Sequence, residues 1–195
     1  MGRELRPLIA GGIYHLYCRG VRRTALYRSP TDFERFLVHL ESVTRRRSWR
    51  CFAYCLMPNH YHLLVETPNP DLSLGMQRLN WSYACWFNER YGYVGHAFDN
   101  RFKSKVIQRD AQLLQTARYI VMNPVRALLC EHPIEWPWSS YAASVGAAPA
   151  PPWLDSTSGP GCSARPGGST KRAPRSRSSS RRPDRDTSRR ATAGA

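Results

Sequence analysis

The order of strand and helix signals along the chain predicts an α+β fold of the ferredoxin-like β-α-β-β-α-β type. Four short segments are rich in β-forming residues, and two intervening segments carry apolar residues at helical spacing, with one more helix after the last strand. Elements in this order form an antiparallel sheet with helices on one face. We therefore expect the opposite face of the sheet to carry a site.

Each element follows from a local pattern. The first helix begins after Ser29 and has apolar residues at three- and four-residue spacing over 33–43. Pro58 separates the two central strands, because proline cannot donate to a ladder. The second helix ends near Gly92, and the third ends at Asn123 before a proline. The predicted strands are 13–18, 51–56, 61–67 and 102–108, and the predicted helices are 29–47, 72–89 and 111–122.

The charge balance indicates a polyanionic partner. The 195 residues include 29 Lys or Arg against 14 Asp or Glu, a formal net charge of +15, which favours nucleic acid. No apolar run is long enough to span a bilayer, and the first residues lack the apolar stretch of a secretory signal. Six cysteines are too few for a disulfide-built fold. We expect a cytoplasmic protein with reduced thiols and no membrane partner.

Composition divides the chain into three parts. We expect residues 1–11 to lead into a domain over 12–145, followed by a disordered basic tail over 146–195. From Ser156 onward there are 10 Lys or Arg against 2 Asp, and no aromatic or branched aliphatic residue. This segment fits either a nucleic-acid-binding tail or a solvated extension. The abrupt change after Asp155 is also typical of a frameshifted reading frame.

Two histidines at the start of the third strand are candidates for a site. His60 and His62 are two residues apart, so both imidazoles point to the same face of the sheet. Neutral imidazoles are common ligands of divalent metals. A pair of polar residues on a solvated face fits the same spacing equally well.

The third predicted helix offers further groups. Tyr119 and Asn123 are four residues apart and share a helix face. A phenol can act as a covalent nucleophile, and a nearby cation lowers the cost of the phenolate. Tyr119 also fits a core position and Asn123 a helix end. Other phenols remain rivals, namely Tyr54, Tyr61, Tyr83 and Tyr91.

Several ordered motifs carry a family resemblance. They are MPNHYHLLVETP at 57–68, MQRLNWSYACWFNERYG at 76–92, GHAFDNRFKS at 95–104, RYIVMNPVRA at 118–127 and PWSSY at 137–141. Together they resemble the REP-associated tyrosine transposases, which belong to the single-tyrosine, IS200-like transposases with a His-hydrophobic-His signature. The similarity spans roughly residues 12–145.

The resemblance implies a metal-dependent DNA transposase and single-stranded DNA endonuclease. Such an enzyme makes a 5′-phosphotyrosyl intermediate and transfers strands at hairpin-flanked repeats. Its partner is single-stranded or hairpin DNA, and it acts as a monomer or homodimer in the bacterial cytoplasm, associated with the nucleoid. The alternative is a catalytically decayed protein that still binds hairpin nucleic acid.

The resemblance also implies roles for individual residues. Tyr119 corresponds to the nucleophile. The implied ligands of a divalent ion, Mg²⁺ or Mn²⁺, are His60, His62 and Asn123. Arg19, Arg101 and Lys103 match positions near DNA in the family and would meet phosphates, although a solvated charge also fits each of them. Phe98 and Phe102 are DNA-binding candidates that would stack on unpaired bases, although Phe102 also fits a core position. Trp136 and Trp138 are expected to fasten the C-terminal segment to the core.

Overall fold

A four-stranded antiparallel sheet organises the chain in the computed structural model, which describes residues 8–108 and 110–155. The strands lie in the order β2-β3-β1-β4, and every neighbouring pair is antiparallel. The predicted ferredoxin-like α+β fold is therefore confirmed. The elements are β1 Gly12–Arg19, α1 Pro30–Arg47, β2 Arg50–Met57, β3 His60–Thr67, α2 Leu72–Tyr91, β4 Lys103–Ile107, α3 Asp110–Val121, α4 Asn123–Arg126 and α5 Tyr141–Ser144, with 3-10 turns at Val21–Arg23 and Pro133–Glu135.

The two faces of the sheet are covered differently. On one face, alternate residues of β1 such as Leu16 join Phe36 of α1 and Tyr83 of α2 in the main hydrophobic core. On the other face, Ile120 of α3 belongs to a smaller apolar cluster with Leu64 of β3. The second face is thus partly covered by α3, and its uncovered part carries the polar residues described below.

A buried carboxylate joins the start of α1 to the end of α2. Asp32 is fully buried and accepts hydrogen bonds from the backbone N–H groups of Arg28, at 2.6 Å, and Ser29, at 2.9 Å. The Tyr91 hydroxyl donates to the same carboxylate at 2.8 Å. A buried charge requires such partners, because its desolvation is otherwise costly.

Two tryptophans fasten the segment after α4 to the core, as predicted from the sequence. Trp138 stacks on Phe33 with ring centroids 4.5 Å apart, and Trp136 Nε1 donates to the carbonyl oxygen of Leu56 at 2.9 Å. The backbone N–H of Leu56 in turn donates to the carbonyl oxygen of Trp138 at 2.9 Å. These contacts attach the segment to the edge strand β2.

Residues beyond the predicted domain end at 145 also pack against the sheet. Leu154 is buried and forms an isolated parallel bridge with Cys51 of β2, and the backbone N–H of Asp155 donates to the Cys51 carbonyl oxygen at 2.8 Å. Arg50 also pairs with the Asp155 carboxylate at 2.8 Å. The prediction that the disordered tail begins at residue 146 is therefore wrong, because the apolar side chain of Leu154 packs on β2. The predictions for 156–195 fall outside the described residues.

Within the part of the chain that the structure describes, none of the helices combines the length and apolar character that a membrane span requires.

Candidate active site

Strand register brings the two predicted histidines together with basic and aromatic side chains. Residues directly opposite each other in an antiparallel sheet point to the same face. On β1, Arg19 lies opposite His60 and Tyr17 lies opposite His62. On β4, Lys103 lies opposite Tyr17. The alternation of the strands therefore places all five side chains on the face that α3 partly covers.

The two histidines present neutral rings to this face. Their ring centroids are 5.1 Å apart. Burial, with a contribution from Arg19, lowers the pKa of His60 to about 4. Burial, with contributions from His15, His60 and Arg19, lowers the pKa of His62 to about 3. Both imidazoles are uncharged near neutral pH and can offer a nitrogen lone pair to a ligand.

Helix α3 of the same chain supplies the tyrosine. The Tyr119 ring lies edge-on to His62 at 5.7 Å between centroids, and the residue is 39% exposed. The Arg126 guanidinium carbon lies 4.9 Å from the centroid of the same ring. Asn123, four residues after Tyr119, donates through Nδ2 to the carbonyl oxygens of Tyr119, at 2.8 Å, and Ile120, at 3.2 Å. This leaves the Asn123 Oδ1 atom available to accept a hydrogen bond or to coordinate a metal ion.

Most of the rival phenols lie away from this site. Tyr61 and Tyr83 are fully buried in the core on the α1 and α2 side, and burial raises the pKa of both. Tyr54 is also buried, and burial raises its pKa to about 12. The Tyr91 hydroxyl is bonded to Asp32. One rival that the sequence reasoning did not consider is Tyr17, whose ring is also 5.7 Å from His62.

A single cavity of about 810 Å³ collects the predicted polar residues. Its lining includes His60, His62, Tyr119 and Asn123 together with Arg19, Arg101 and Lys103. The polar residues that the resemblance assigned to metal, nucleophile and DNA thus share one site, although they come from five separate elements and a loop.

The two predicted base-stacking phenylalanines are placed differently. Phe102 is 5% exposed and belongs to the main core, so base stacking by this residue is wrong and its other predicted position, in the core, is correct. Phe98 is half-buried against the same core, with its ring centroid 6.1 Å from that of Tyr61 and 6.3 Å from that of Tyr83. Neither phenylalanine lines the cavity.

Comparison with known proteins assigns the family. The family described as "Transposase IS200 like" matches residues 10–123 of the chain. The chain belongs to this family. It is 27% identical over 160 residues to a Haemophilus influenzae protein with the name "Putative REP-associated tyrosine transposase". The match covers 75% of this chain and 89% of the relative.

A solved structure shares the fold of this IS200-like transposase. It is a REP-associated tyrosine transposase bound to a REP hairpin, with a TM-score of 0.65 at 22% identity, covering 77% of this chain and 89% of that one. At this level of identity the likeness bears on the fold, and it agrees with the strand order and helix positions described above.

The donor atoms fit a divalent ion. His60 and His62 are neutral, and Asn123, which has an amide oxygen, lines the same cavity. Within residues 8–108 and 110–155, no group of three or more His, Cys, Asp or Glu side chains is arranged to hold a metal. The candidate ligand set is two imidazoles and an amide oxygen. Imidazole donors favour Mn²⁺ over the harder Mg²⁺.

Sequence reasoning missed several residues that line this cavity. His15 and Lys105 line the cavity from β1 and β4, and Gln115 lines it from α3. The signal for His15 was present in the sequence, because His15, Tyr17 and Arg19 alternate along a predicted strand. It could not be used without knowing which face of β1 is buried.

Proposed function

We propose that this IS200-like family member is a metal-dependent single-stranded DNA endonuclease and transposase that cuts through a covalent bond between Tyr119 and DNA. The observation that carries the proposal is the shared cavity, in which a half-exposed tyrosine lies beside two neutral histidines. Tyr119 and His62 are 5.7 Å apart between ring centroids. A nucleophile beside metal-binding groups in one cleft is the arrangement that metal-dependent phosphodiester cleavage through a covalent intermediate uses.

The cleavage step exchanges one phosphodiester for another. The Tyr119 hydroxyl loses its proton to solvent and its oxygen forms a bond to the scissile phosphorus. The bond from phosphorus to the 3′ oxygen breaks, and that oxygen takes up a proton. The products are a 5′-phosphotyrosyl link and a free 3′-hydroxyl. A 3′-hydroxyl of a second strand reverses the step, so strand transfer needs no nucleotide cofactor.

Side chains around the tyrosine support this step. Arg126 lies 4.9 Å from the Tyr119 ring and stabilises negative charge that develops on the phenol. His60, His62 and Asn123 would hold the divalent ion, Mg²⁺ or Mn²⁺, which supplies Lewis-acid polarisation of the phosphate when bound. Tyr119 is the better nucleophile candidate than Tyr17, because it is 39% exposed and Tyr17 is more buried on β1.

The DNA is proposed to be single-stranded next to a hairpin. Arg19, Arg101 and Lys103 line the cavity and would contact phosphates around the cleaved bond. The solved relative binds a REP hairpin, and this likeness supports hairpin DNA as the partner of the present chain. The proposed target is therefore a repeat whose hairpin positions a single-stranded flank in the cavity.

The test is formation of a covalent protein–DNA adduct. The purified protein is incubated with Mn²⁺ and labelled hairpin DNA from the flanks of its own gene, and denaturing gels are run. We expect a labelled band at the mass of the protein that is absent in Tyr119→Phe and in His60→Ala but present in Tyr17→Phe. DNA that is bound in native gels but never cut by the wild type would contradict the proposal and identify a hairpin-binding protein without catalysis.

A further inference from the structure

We propose that His15 is a positioning residue that holds His62 in the tautomer and orientation needed to bind a divalent ion through its Nε2 atom. This inference rests on the proposed function, because it concerns the metal ligands of the same site. Neither the sequence motifs nor the family resemblance assigned a role to His15.

The strand register explains why the two rings meet. His15 lies directly opposite Leu64, and Tyr17 lies opposite His62, so His15 and His62 are diagonal neighbours on one face of the sheet. Diagonal neighbours in an antiparallel sheet are within reach of aromatic side chains. The His15 Nε2 atom lies 2.9 Å from the His62 Nδ1 atom, a distance typical of a hydrogen bond.

This hydrogen bond can fix which nitrogen of His62 carries the proton. A neutral imidazole has one N–H donor and one acceptor nitrogen. When His62 Nδ1 donates to His15 Nε2, the lone pair of His62 lies on Nε2, and that atom can bind a metal. The reverse assignment would protonate His62 Nε2 and prevent it from acting as a ligand.

The neighbouring histidine shows the same pattern with a different partner. The His60 Nδ1 atom lies 2.7 Å from the side-chain oxygen of Asn59, and an amide oxygen can only accept a hydrogen bond. His60 Nδ1 is therefore the donor, and its lone pair also lies on Nε2. Both candidate ligands thus have their Nδ1 atoms engaged. A partner that fixes the outer nitrogen in this way is typical of metal-binding histidines.

The His15 ring is itself held in place from two sides. Its centroid is 5.4 Å from the ring of Tyr17 on the same strand and 5.9 Å from the ring of Tyr119 on α3. These contacts restrict the rotation of the His15 side chain, so its Nε2 atom stays directed at His62. His15 therefore links the helix that carries the proposed nucleophile to the strand that carries the proposed ligands.

The first experiment reads the tautomer directly in the metal-free protein. Long-range ¹H–¹⁵N NMR spectra distinguish a ring protonated at Nδ1 from one protonated at Nε2. We expect wild-type His62 to be the Nδ1–H tautomer. In His15→Phe, which keeps a ring but has no nitrogen acceptor, we expect His62 to lose this single tautomer. A wild-type His62 protonated at Nε2 would overturn the proposal without any need for a variant.

The second experiment measures binding of Mn²⁺ alone by electron paramagnetic resonance, in the full-length chain without DNA. We expect His15→Phe to weaken Mn²⁺ binding by roughly 10–100-fold, the usual effect of removing such a partner. His15→Gln keeps an amide oxygen that can accept from His62 and should restore most of the affinity. His96→Phe removes an exposed histidine that does not line the cavity, so it is the matched control and should bind Mn²⁺ like the wild type.

The variants separate failure of this inference from failure of the proposed metal site. If His60→Ala abolishes Mn²⁺ binding and His15→Phe leaves it unchanged, the metal site stands and the role of His15 is refuted. If the wild type does not bind Mn²⁺, or His60→Ala binds it normally, the metal site itself is refuted. If His15→Gln is as impaired as His15→Phe, an acceptor at this position does not restore Mn²⁺ binding, and the inference is also overturned.

Discussion

Arg126 offers a sharp test of how the site would stabilise a tyrosine nucleophile. Its guanidinium carbon lies 4.9 Å from the Tyr119 ring centroid. A unit positive charge at this distance stabilises a unit negative charge by about 1 kcal/mol in a water-like dielectric and about 3 kcal/mol at an effective dielectric of 20. Because Tyr119 is 39% exposed, the lower half of this range applies. Arg126→Gln should therefore slow adduct formation by roughly 5–30-fold.

The assay is single-turnover formation of the protein–DNA adduct at saturating DNA. Arg118→Gln is the matched control. Arg118 is an exposed residue of α3, directly before Tyr119 in sequence, and it does not line the cavity. Both variants lose one positive charge, so both weaken general attraction of DNA equally. Equal rates in the two variants, or an Arg126→Gln defect that disappears at higher DNA concentration, would refute this reasoning.

Three further predictions concern stability and thiol reactivity. Gly75→Ala should lower the free energy of unfolding by about 1–3 kcal/mol in urea denaturation, because a β-carbon at this position would overlap the ring of Trp49. Helix propensity alone predicts the opposite, an increase in the free energy of unfolding of about 1 kcal/mol. Trp49→Phe should reduce the effect, and a stabilising Gly75→Ala would contradict the packing. Burial raises the pKa of the Cys51 thiol to about 12, so Cys51 stays protonated at about pH 8. Iodoacetamide should then label the exposed Cys85 first, as read by peptide mass spectrometry, and equal labelling of the two would contradict the fold. Leu154→Ala should cost about 2 kcal/mol in the same denaturation assay, and an unchanged midpoint would mean that the segment does not pack on β2.

Local patterns were sufficient for the fold and for part of the site. Strand alternation placed His60 and His62 on one face, and helical spacing placed Tyr119 and Asn123 together, as the structure has them. Pro58 marked the break between the two central strands, which the structure has as β2 and β3. These features depend on residues that are close in sequence, so single-sequence patterns contain them.

Other features depend on contacts between distant parts of the chain. The role of His15 depends on its diagonal position to His62 across two paired strands. In the sequence, Phe102 lies between Arg101 and Lys103, a pattern that is also typical of a residue stacking on bases. Only its packing in the folded chain shows that it is buried. Leu154 is a single apolar residue in a proline-rich stretch, so its burial against β2 has no periodic signal in the sequence.

The measurement that tests the central claim most directly is mass spectrometry of the protein–DNA adduct after digestion with protease and nuclease. The account predicts one modified peptide, with the phosphorylated nucleotide on Tyr119. Tyr17 is the informative competitor, because its ring lies as close to His62 as that of Tyr119 does, with both centroid distances 5.7 Å. A nucleotide found on Tyr17, or cleaved DNA without any modified tyrosine, would contradict the account.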